Sequence, residues 1–329
     1  MLLVGDIGGT KTDLAIYTSG SSPNSPVARK QFHSADYASL QAIVTEFLAE
    51  VRTPVHHATF DVAGPVIEKS VVTTNLPWVM DEDSLATDLK LKSVHLMNDL
   101  EAVARAIPIL RKSDVVTLNT GEPVPKTAIG MIAPGTGLGE SFLSWNGSHY
   151  VTQGSEGGHT DFAATEIGKI RLLEYMLTRF GHVSVERVCS GIGIPHIYEY
   201  LRDVEHLHDA PEVTEQIASA KDRTRVIIDA AIYRHRESEL CRATLEMFVS
   251  ILGSEAGNLA LKVLATGGIY LAGGIALRVL SVLQEPPFMR AFTNKGRFSE
   301  LMKRIPIHVI ITNAALVGAA TYALENLPD

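Results

Sequence analysis

Two glycine-rich turns, about 130 residues apart, constrain this chain most strongly. The apolar run 1–4 leads into Gly5-Asp-Ile-Gly-Gly-Thr10, and Gly135-Thr-Gly-Leu-Gly139 follows a second apolar stretch. Glycine lets backbone N–H groups approach phosphate oxygens, because no Cβ intrudes and a positive φ costs little. One such turn is a weak signal. Two of them, one in each half, predict phosphate-binding turns that face each other across a cleft in a nucleotide-using protein.

Both turns lead into a strand rather than a helix. Residues 13–17 alternate as a strand after the first turn, and 140–145 do so after the second. A P-loop and a Rossmann fingerprint instead connect a strand to a helix. Thr10 also stands where the Walker pattern needs its second glycine. The turns are therefore predicted to be hairpins, and both of those nucleotide-binding motifs are excluded.

The order of predicted elements repeats after a polar joint at 111–114. With 329 residues, two domains are expected. Strands are predicted at 2–7, 13–17, 58–63, 93–97, 128–133, 140–145, 150–151, 269–271 and 307–311, and helices at 37–51, 100–110, 165–180, 241–264 and 314–327. The polar segment 201–221 is expected to be a surface excursion. A glycine hairpin, strands and a helix, found twice, are typical of a duplicated α/β fold of the ribonuclease-H-like (actin/hexokinase) type.

Composition limits the partners. A net charge of −8 disfavours nucleic acid or an anionic membrane surface. Cys189 and Cys241 are too few for a disulfide framework or a cysteine-rich zinc site. The longest apolar stretch, 259–280, carries Lys262 and Arg278, so it is not expected to span a membrane. The N-terminal residues show no secretion signal, and a cytoplasmic location is expected.

Asn98 and Asp99 stand between a predicted strand and a predicted helix. They could simply cap that helix, and the negative charge of Glu101 would stabilise its first turn. Alternatively, Asp99 lies at the carboxyl end of a strand, where α/β proteins bind ligands, and accepts a proton from an attacking hydroxyl. The residue pattern leaves both interpretations open.

Gly154-Ser-Glu-Gly-Gly-His159 combines a carboxylate and an imidazole with adjacent glycines. The Glu-x-x-His spacing is that of a zinc site, but such a site needs a helix, which the glycine pair disfavours. The segment is then either a tight turn or a place where Glu156 and His159 hydrogen-bond a polyhydroxylated ligand.

Three further features have structural explanations at least as good as functional ones. Ser184 is a natural helix cap ahead of Glu186, and the helix dipole would favour the negative charge of Glu186 in the first turn. Gly273-Gly274 could pack a strand against a helix or present a flat surface to an adenine ring. The pairs His56-His57 and His206/His208 lack partner ligands and are expected at the surface.

Taken in order, these segments resemble the bacterial-type glucokinases, ATP:glucose phosphotransferases of the ribonuclease-H-like/actin-like ATPase superfamily. The resemblance runs from Val4 to about Gly318 and rests on eight motifs: 5–10, Asp61-Val-Ala-Gly-Pro65, Thr74-Asn-Leu-Pro-Trp78, Met97-Asn-Asp99, 135–139, Ser155-Glu-Gly-Gly-His-Thr-Asp-Phe162, Glu186-Arg-Val-Cys-Ser-Gly191 and Ala272-Gly-Gly-Ile275.

The resemblance implies a small domain at 1–111 plus about 312–329, a large domain at 112–311, a sugar cleft between them and a homodimer. It implies that Asp99 is the catalytic base and that glucose hydroxyls are bound by Asn98, Asp99, Glu156, His159 and Glu186. The ATP phosphates and adenosine would lie against Gly5, Asp6, Ile7, Gly8, Gly9, Thr10, Gly135, Thr136, Gly137, Gly273 and Gly274. Asp6 would help place Mg²⁺ through water.

The chain departs from the family pattern at Lys11, where many members have Asn, at Ser155, and at Pro134 before the second turn. The related repressor/kinase family places a cysteine-rich zinc motif after its histidine, whereas Thr160-Asp-Phe162 follows here, so no zinc is expected. Two alternatives remain: a kinase of another hexose, and a non-catalytic sugar-sensing regulator. No helix-turn-helix precedes Leu2, which disfavours a DNA-binding regulator.

Overall fold

A computed structural model describes residues 1–73, 76–234 and 238–326. Thr74 and Asn75, which begin one of the eight motifs, and Leu327 of the predicted last helix lie outside the described residues. The chain divides into two units: Met1–Arg111 together with the segment from Thr312 onward, and Lys112–Ile311.

The first unit contains a five-stranded sheet in the order β3-β2-β1-β4-β7. Its elements are β1 (Leu2–Ile7), β2 (Lys11–Tyr17), β3 (Ala28–His33), α1 (Leu40–Val51), β4 (His57–Val62), β5 (Ser70–Val72), β6 (Val79–Asp81), α2 (Glu82–Asp88), β7 (Ser93–Asn98), α3 (Asp99–Ala106) and α13 (Ala314–Asn326). Strands β1, β2 and β3 are antiparallel neighbours, whereas β4 pairs in parallel with both β1 and β7. The first glycine turn is therefore a β-hairpin, as predicted.

The second unit contains a six-stranded sheet in the order β11-β10-β9-β12-β13-β8. Its elements are β8 (Val115–Asn119), β9 (Ile129–Pro134), β10 (Leu138–Trp145), β11 (Tyr150–Ser155), α4 (Ile167–Leu177), α5 (Gly193–Asp203), α6 (Pro211–Ser219), α7 (Arg223–Tyr233), α8 (Glu239–Val263), β12 (Gly268–Leu271), α9 (Gly273–Arg278), α10 (Leu280–Leu283), α11 (Pro286–Thr293), α12 (Ser299–Arg304) and β13 (Ile307–Ile310). An antiparallel meander joins β9, β10 and β11, and parallel pairs join β9, β12 and β13.

The two sheets repeat one topology. In each, an antiparallel meander whose first hairpin is a glycine turn is followed by two strands added in parallel beside the first. Only β8, an extra antiparallel edge strand, breaks the correspondence. This repetition confirms the predicted duplicated α/β fold.

The two faces of β1 differ because successive side chains point to opposite sides of a strand. Leu3 and Ile7 belong to the core that includes α1. Leu2 and Val4 pack on the other face with small residues of α3 and α13. Asp6 continues this second face, which is how a carboxylate comes to lie at the end of an otherwise apolar row.

Three local predictions are wrong. Segment 201–221 is not merely a surface excursion, because α6 buries Val213 and Ile217 in the core of its unit. His57 is buried, with its Nδ1 2.7 Å from Ser93 Oγ, whereas His56 and both other paired histidines are exposed. Ser184 makes no side-chain cap to the short helical turn Val185–Arg187.

Candidate functional site

Three aspartates form a row across the sheet of the first unit. Asp13, Asp6 and Asp61 are direct neighbours in register on β2, β1 and β4. Asp13 is ion-paired with Arg29, 2.5 Å from its Oδ2. The Asn313 amide donates to Asp6 Oδ2 at 2.9 Å and to Asp13 Oδ2 at 3.3 Å. The row therefore brings three carboxyl groups together, with Arg29 paired to the one at its β2 end.

Asp61 is fully buried at the other end of this row. Neither of its oxygens accepts a hydrogen bond from a donor group in the described part of the chain. Burial and repulsion from Asp6 raise the pKa of Asp61 well above its ordinary value. Burial also raises the pKa of Asp6, although the Asn313 amide opposes this. Both carboxyl groups are therefore harder to ionise than an ordinary aspartate.

Asn98 and Asp99 lie where β7 ends and α3 begins. Leu100 N–H donates to Asn98 Oδ1 and to Asp99 Oδ1, each at 2.9 Å, while Asn98 Nδ2 donates to the Gly64 carbonyl at 2.9 Å. The capping interpretation is therefore correct for Asn98. Burial raises the pKa of Asp99 to about 6, against the effect of the Leu100 N–H and with a further rise from Asp6.

The first glycine turn is tied down by Ser34. Gly8 N–H donates to the Lys11 carbonyl at 3.0 Å, and the buried Ser34 hydroxyl donates to the Gly8 carbonyl at 2.8 Å. Gly5 lies inside β1, where a Cβ would come within 2.6 Å of Leu14 Cδ2, and Ile7 belongs to the core. Gly5 and Ile7 could therefore face a ligand only with their backbone, whereas Gly8, Gly9 and Thr10 form the turn itself.

The second glycine turn is held by the segment 186–192. Gly191 N–H donates to the Gly135 carbonyl at 2.7 Å, and Leu138 N–H donates to Glu186 Oε2 at 2.9 Å. Glu186 thus contacts the backbone of the turn, while Thr136 at its tip is exposed.

Glu156 and His159 flank the short helical turn Gly157–His159. The Glu156 side chain is 91% exposed and that of His159 is 63% exposed, with 3.8 Å between Oε2 and Nε2. The two glycines between them are buried and closely packed. A Cβ would overlap Glu140 Oε2 at Gly157 and the Leu138 carbonyl at Gly158. This packing leaves both polar side chains free to meet a ligand.

Gly273 begins α9 with φ +84°, and a Cβ there would lie 2.6 Å from the Pro134 carbonyl. Close packing beside the second turn therefore accounts for this glycine. Gly274 is exposed, with nothing within 4 Å of its Cβ position, so it leaves an open surface.

Neither a metal cluster nor a membrane span accompanies these groups in the described ranges. Within residues 1–73, 76–234 and 238–326, no three His, Cys, Asp or Glu side chains are grouped as ligands of one metal ion. In the same ranges, every helix is too short or too polar to cross a bilayer.

A family model for glucokinase matches residues 3–326. The chain belongs to the glucokinase family. A glucokinase of Nostoc punctiforme is 40% identical, and the alignment covers 98% of each chain. The crystal structure of a glucokinase from an Antarctic psychrotroph superimposes with a TM-score of 0.83 at 32% identity, covering 99% of this chain and 98% of that one. The predicted family, fold class and enzyme class are confirmed.

A more distant solved structure shares the fold alone. The ROK family glucokinase from Streptomyces griseus, solved in complex with glucose and AMPPNP, has a TM-score of 0.62 at 17% identity and covers 99% of both chains. Its duplicated α/β architecture is shared despite little sequence identity.

The sequence analysis assigned no individual role to four residues that shape these sites: Asp61, Ser34, Gly191 and Glu140. Asp61 and Gly191 stand in two of the eight motifs, and Asp61 and Glu140 are also acidic residues inside predicted strands. The roles of Ser34 and Gly191 could not be read from the residue pattern, because they act through contacts with turns far away in sequence.

Proposed function

We propose that this chain transfers the terminal phosphoryl group of MgATP to the 6-hydroxyl of glucose, with Asp99 as general base. The placement of Asp99 supports this most directly: it lies half-buried at the carboxyl end of a parallel strand, with a pKa raised to about 6. Such a carboxylate is ionised at neutral pH and yet more basic than an ordinary aspartate. It accepts the proton of the hydroxyl as the oxygen attacks phosphorus.

For sugar binding we propose Asn98, Asp99, Glu156, His159 and Glu186. Sugar hydroxyls are hydrogen-bond donors, which carboxylates accept strongly. Glu186 uses Oε2 for Leu138 N–H, so its Oε1 remains for a hydroxyl. Glu156 and His159 are exposed and meet only at an ion-pair distance of 3.8 Å, so each can turn toward the sugar.

For the nucleotide we propose both glycine turns, with Gly273 and Gly274 near the adenosine. Backbone N–H groups of Gly9, Thr10, Thr136 and Gly137 would be the phosphate donors. Gly8 and Gly135, whose N–H groups already donate to the Lys11 and Gly137 carbonyls, would allow the close approach of the phosphates. Gly5 and Ile7 would contribute through their backbone alone. That the Streptomyces griseus relative was solved with AMPPNP, an ATP analogue, supports ATP as the donor.

The Mg²⁺ of the nucleotide would be placed by Asp6 through water. The donor set fits this ion, because carboxylate oxygens and water are the ligands that Mg²⁺ prefers. Burial and repulsion from Asp13 raise the pKa of Asp6, and the Asn313 amide and the more distant Arg29 offset this only in part, so a further cation would be favoured beside this carboxyl. When bound, the ion would neutralise charge on the transferred phosphoryl group, while the protein would align the attacking and leaving oxygens and exclude water.

A coupled assay with MgATP tests this function directly. Glucose, mannose, fructose and N-acetylglucosamine would be compared at equal concentration. Glucose should give the highest kcat/KM. A clear preference for another sugar would make the chain a kinase of that hexose, and sugar binding without turnover of any of them would make it a sensor.

Replacing Glu156 or Glu186 by glutamine should separate two roles. Loss of a charge-assisted hydrogen bond to the sugar should raise KM for glucose about tenfold or more in each variant. Glutamine has one acceptor oxygen where Glu186 has two, so it cannot accept both Leu138 N–H and a sugar hydroxyl; only Glu186→Gln should therefore raise KM for ATP as well. Steady-state kinetics with each substrate varied in turn measures both constants.

The exposed Glu212 on α6 provides the matched charge control, and Glu212→Gln should leave both KM values unchanged. If KM for glucose were unchanged in both Glu156→Gln and Glu186→Gln, the proposed sugar site would be misplaced.

Adding one methyl group at Gly137 should disturb the hydrogen bond between Leu138 N–H and Glu186 without changing Glu186 itself. The Cβ of Gly137→Ala would overlap Glu186 Oε2, which forces that carboxylate away from Leu138 N–H. We expect KM for ATP and for glucose to rise together, by about tenfold. Gly181→Ala, at a glycine with open space around its Cβ position, is the control. Unaltered kinetics in Gly137→Ala would contradict the linking role of Glu186.

We also propose that the protein acts in the cytoplasm, in glycolysis, as a homodimer. Exposed apolar side chains Ile167, Ile170 and Leu177 on α4 would be covered by a second copy. Light scattering after size-exclusion chromatography gives the assembly mass, and a monomer at micromolar concentration would overturn the dimer.

A further inference from the structure

Glu140 lies beneath the loop that carries Glu156 and His159. Its position on β10 is directly opposite Ser155, the last residue of β11. The Glu140 side chain packs so closely under Gly157 that any Cβ at this glycine would overlap its Oε2. Gly157 N–H turns back to Ser155 Oγ at 3.0 Å, so the loop closes over the carboxyl. The loop therefore packs on an acidic side chain that is only 3% exposed.

The surroundings of Glu140 disfavour a charge. Its Oε1 is buried and has no hydrogen-bond partner among the described residues. From α8, Glu255 repels the carboxylate and Lys262 attracts it. The buried Cys189 thiol also lies near, and its own pKa is raised by burial and by both glutamates, so it stays neutral.

We propose that Glu140 positions the loop Ser155–His159 for sugar binding, holding it down when neutral and releasing it when ionised. The proposal rests on the assignment of Glu156 and His159 to the sugar site. Glu140 is not among the residues proposed to contact glucose or ATP, so it is a positioning residue for the loop.

The physical reason is the cost of an uncompensated buried charge. Ionised Glu140 needs water or a donor, and it gains water only if Gly157 moves away from it. We call the loop Ser155–His159 seated when it lies over Glu140. In this state, burial and repulsion from Glu255 raise the pKa of Glu140 from 4.5 to about 7. The seated loop is therefore favoured most below pH 4.5, and it loses that advantage progressively between pH 4.5 and about 7.

The test is glucose binding to the nucleotide-free protein, measured by calorimetry from pH 5.5 to 8 in wild type and in Glu140→Gln. Glutamine keeps the shape but cannot ionise. We expect the wild-type Kd divided by the variant Kd to be near one at pH 5.5 and to reach about threefold to tenfold at pH 8. The pKa difference, at tenfold per unit, sets a ceiling of about 300-fold. A ratio constant with pH would overturn the proposal.

Two further variants sharpen the result. Glu255→Gln removes the repulsion on Glu140 and should shift the wild-type transition to lower pH, whereas Glu212→Gln should not move it. A Glu255→Gln transition unmoved from that of wild type would also overturn the proposal. Titration of Asp99 affects all of these proteins alike and cancels in the ratio. If wild type bound no glucose at any pH, the proposed function would fail instead, so the two failures are distinguishable.

Discussion

Replacing Asp99 by alanine should lower kcat by about 10²- to 10⁴-fold or more, with KM for glucose much less affected. The loss follows because Asp99 is the carboxylate proposed to accept the hydroxyl proton at the carboxyl end of β7. Asp99→Asn should lose about as much, since its amide can still accept the Leu100 N–H but cannot take up a proton. Initial rates at saturating MgATP and glucose measure the effect.

Glu101→Gln is the matched control, because Glu101 is a carboxylate in the same helical turn that pairs with Arg105. It should keep the wild-type kcat, and circular dichroism should show that all the variants are folded. A wild-type rate in Asp99→Ala would remove Asp99 from the mechanism.

The pH dependence of kcat/KM in the wild-type enzyme also tests the role of Asp99 as general base. Because Asp99 must be ionised to act, and burial raises its pKa to about 6, kcat/KM should fall as pH drops through about 6, approaching tenfold per unit below it. A profile that stays flat down to pH 5 would contradict this assignment.

Gly318→Ala should destabilise the first unit by about 1–3 kcal/mol. Gly318 lies on α13 where this helix crosses α3, and its Cβ would overlap the Ala102 carbonyl oxygen. That oxygen belongs to the backbone, so one of the helices must move. The loss should exceed the gain of about 1 kcal/mol that alanine brings to a helix interior. Urea unfolding followed by the fluorescence of the buried Trp78 reports on this unit.

The measurement is made in a Trp145→Phe background, which leaves Trp78 as the sole tryptophan. Gly168→Ala on α4 is the control, since its nearest atom, Met247 Cε, is 3.8 Å from the Cβ position and no clash results. A Gly318→Ala protein as stable as its parent would show that the two helices can separate without cost.

The sequence predicted the sheets well because their signals are local. Buried strands such as β1 and β9 are short apolar runs ended by glycine turns, and the strand after each turn distinguished a hairpin from a P-loop. The parallel additions β4, β7, β12 and β13 also alternate with helical segments, which is typical of this fold class. Even the capping interpretation of Asn98 was correct, since a cap depends on neighbours in sequence.

Features that depend on distant partners could not be predicted in this way. The polar composition of 201–221 hid the buried face of α6, because two apolar residues, Val213 and Ile217, are enough to anchor a short helix. The role of Ser34 follows only from the approach of β3 to the first glycine turn. Likewise, the burial of His57 depends on pairing of β4 with β7, which places Ser93 beside it.

The central claim is phosphoryl transfer from ATP to the 6-hydroxyl of glucose, and ³¹P NMR of the reaction mixture tests it most directly. With MgATP and glucose, we expect ADP and one sugar phosphate, glucose 6-phosphate, to appear at equal rates, and 6-deoxyglucose to yield no sugar phosphate. Phosphate at another position of glucose, or a sugar phosphate formed from 6-deoxyglucose, would contradict the account.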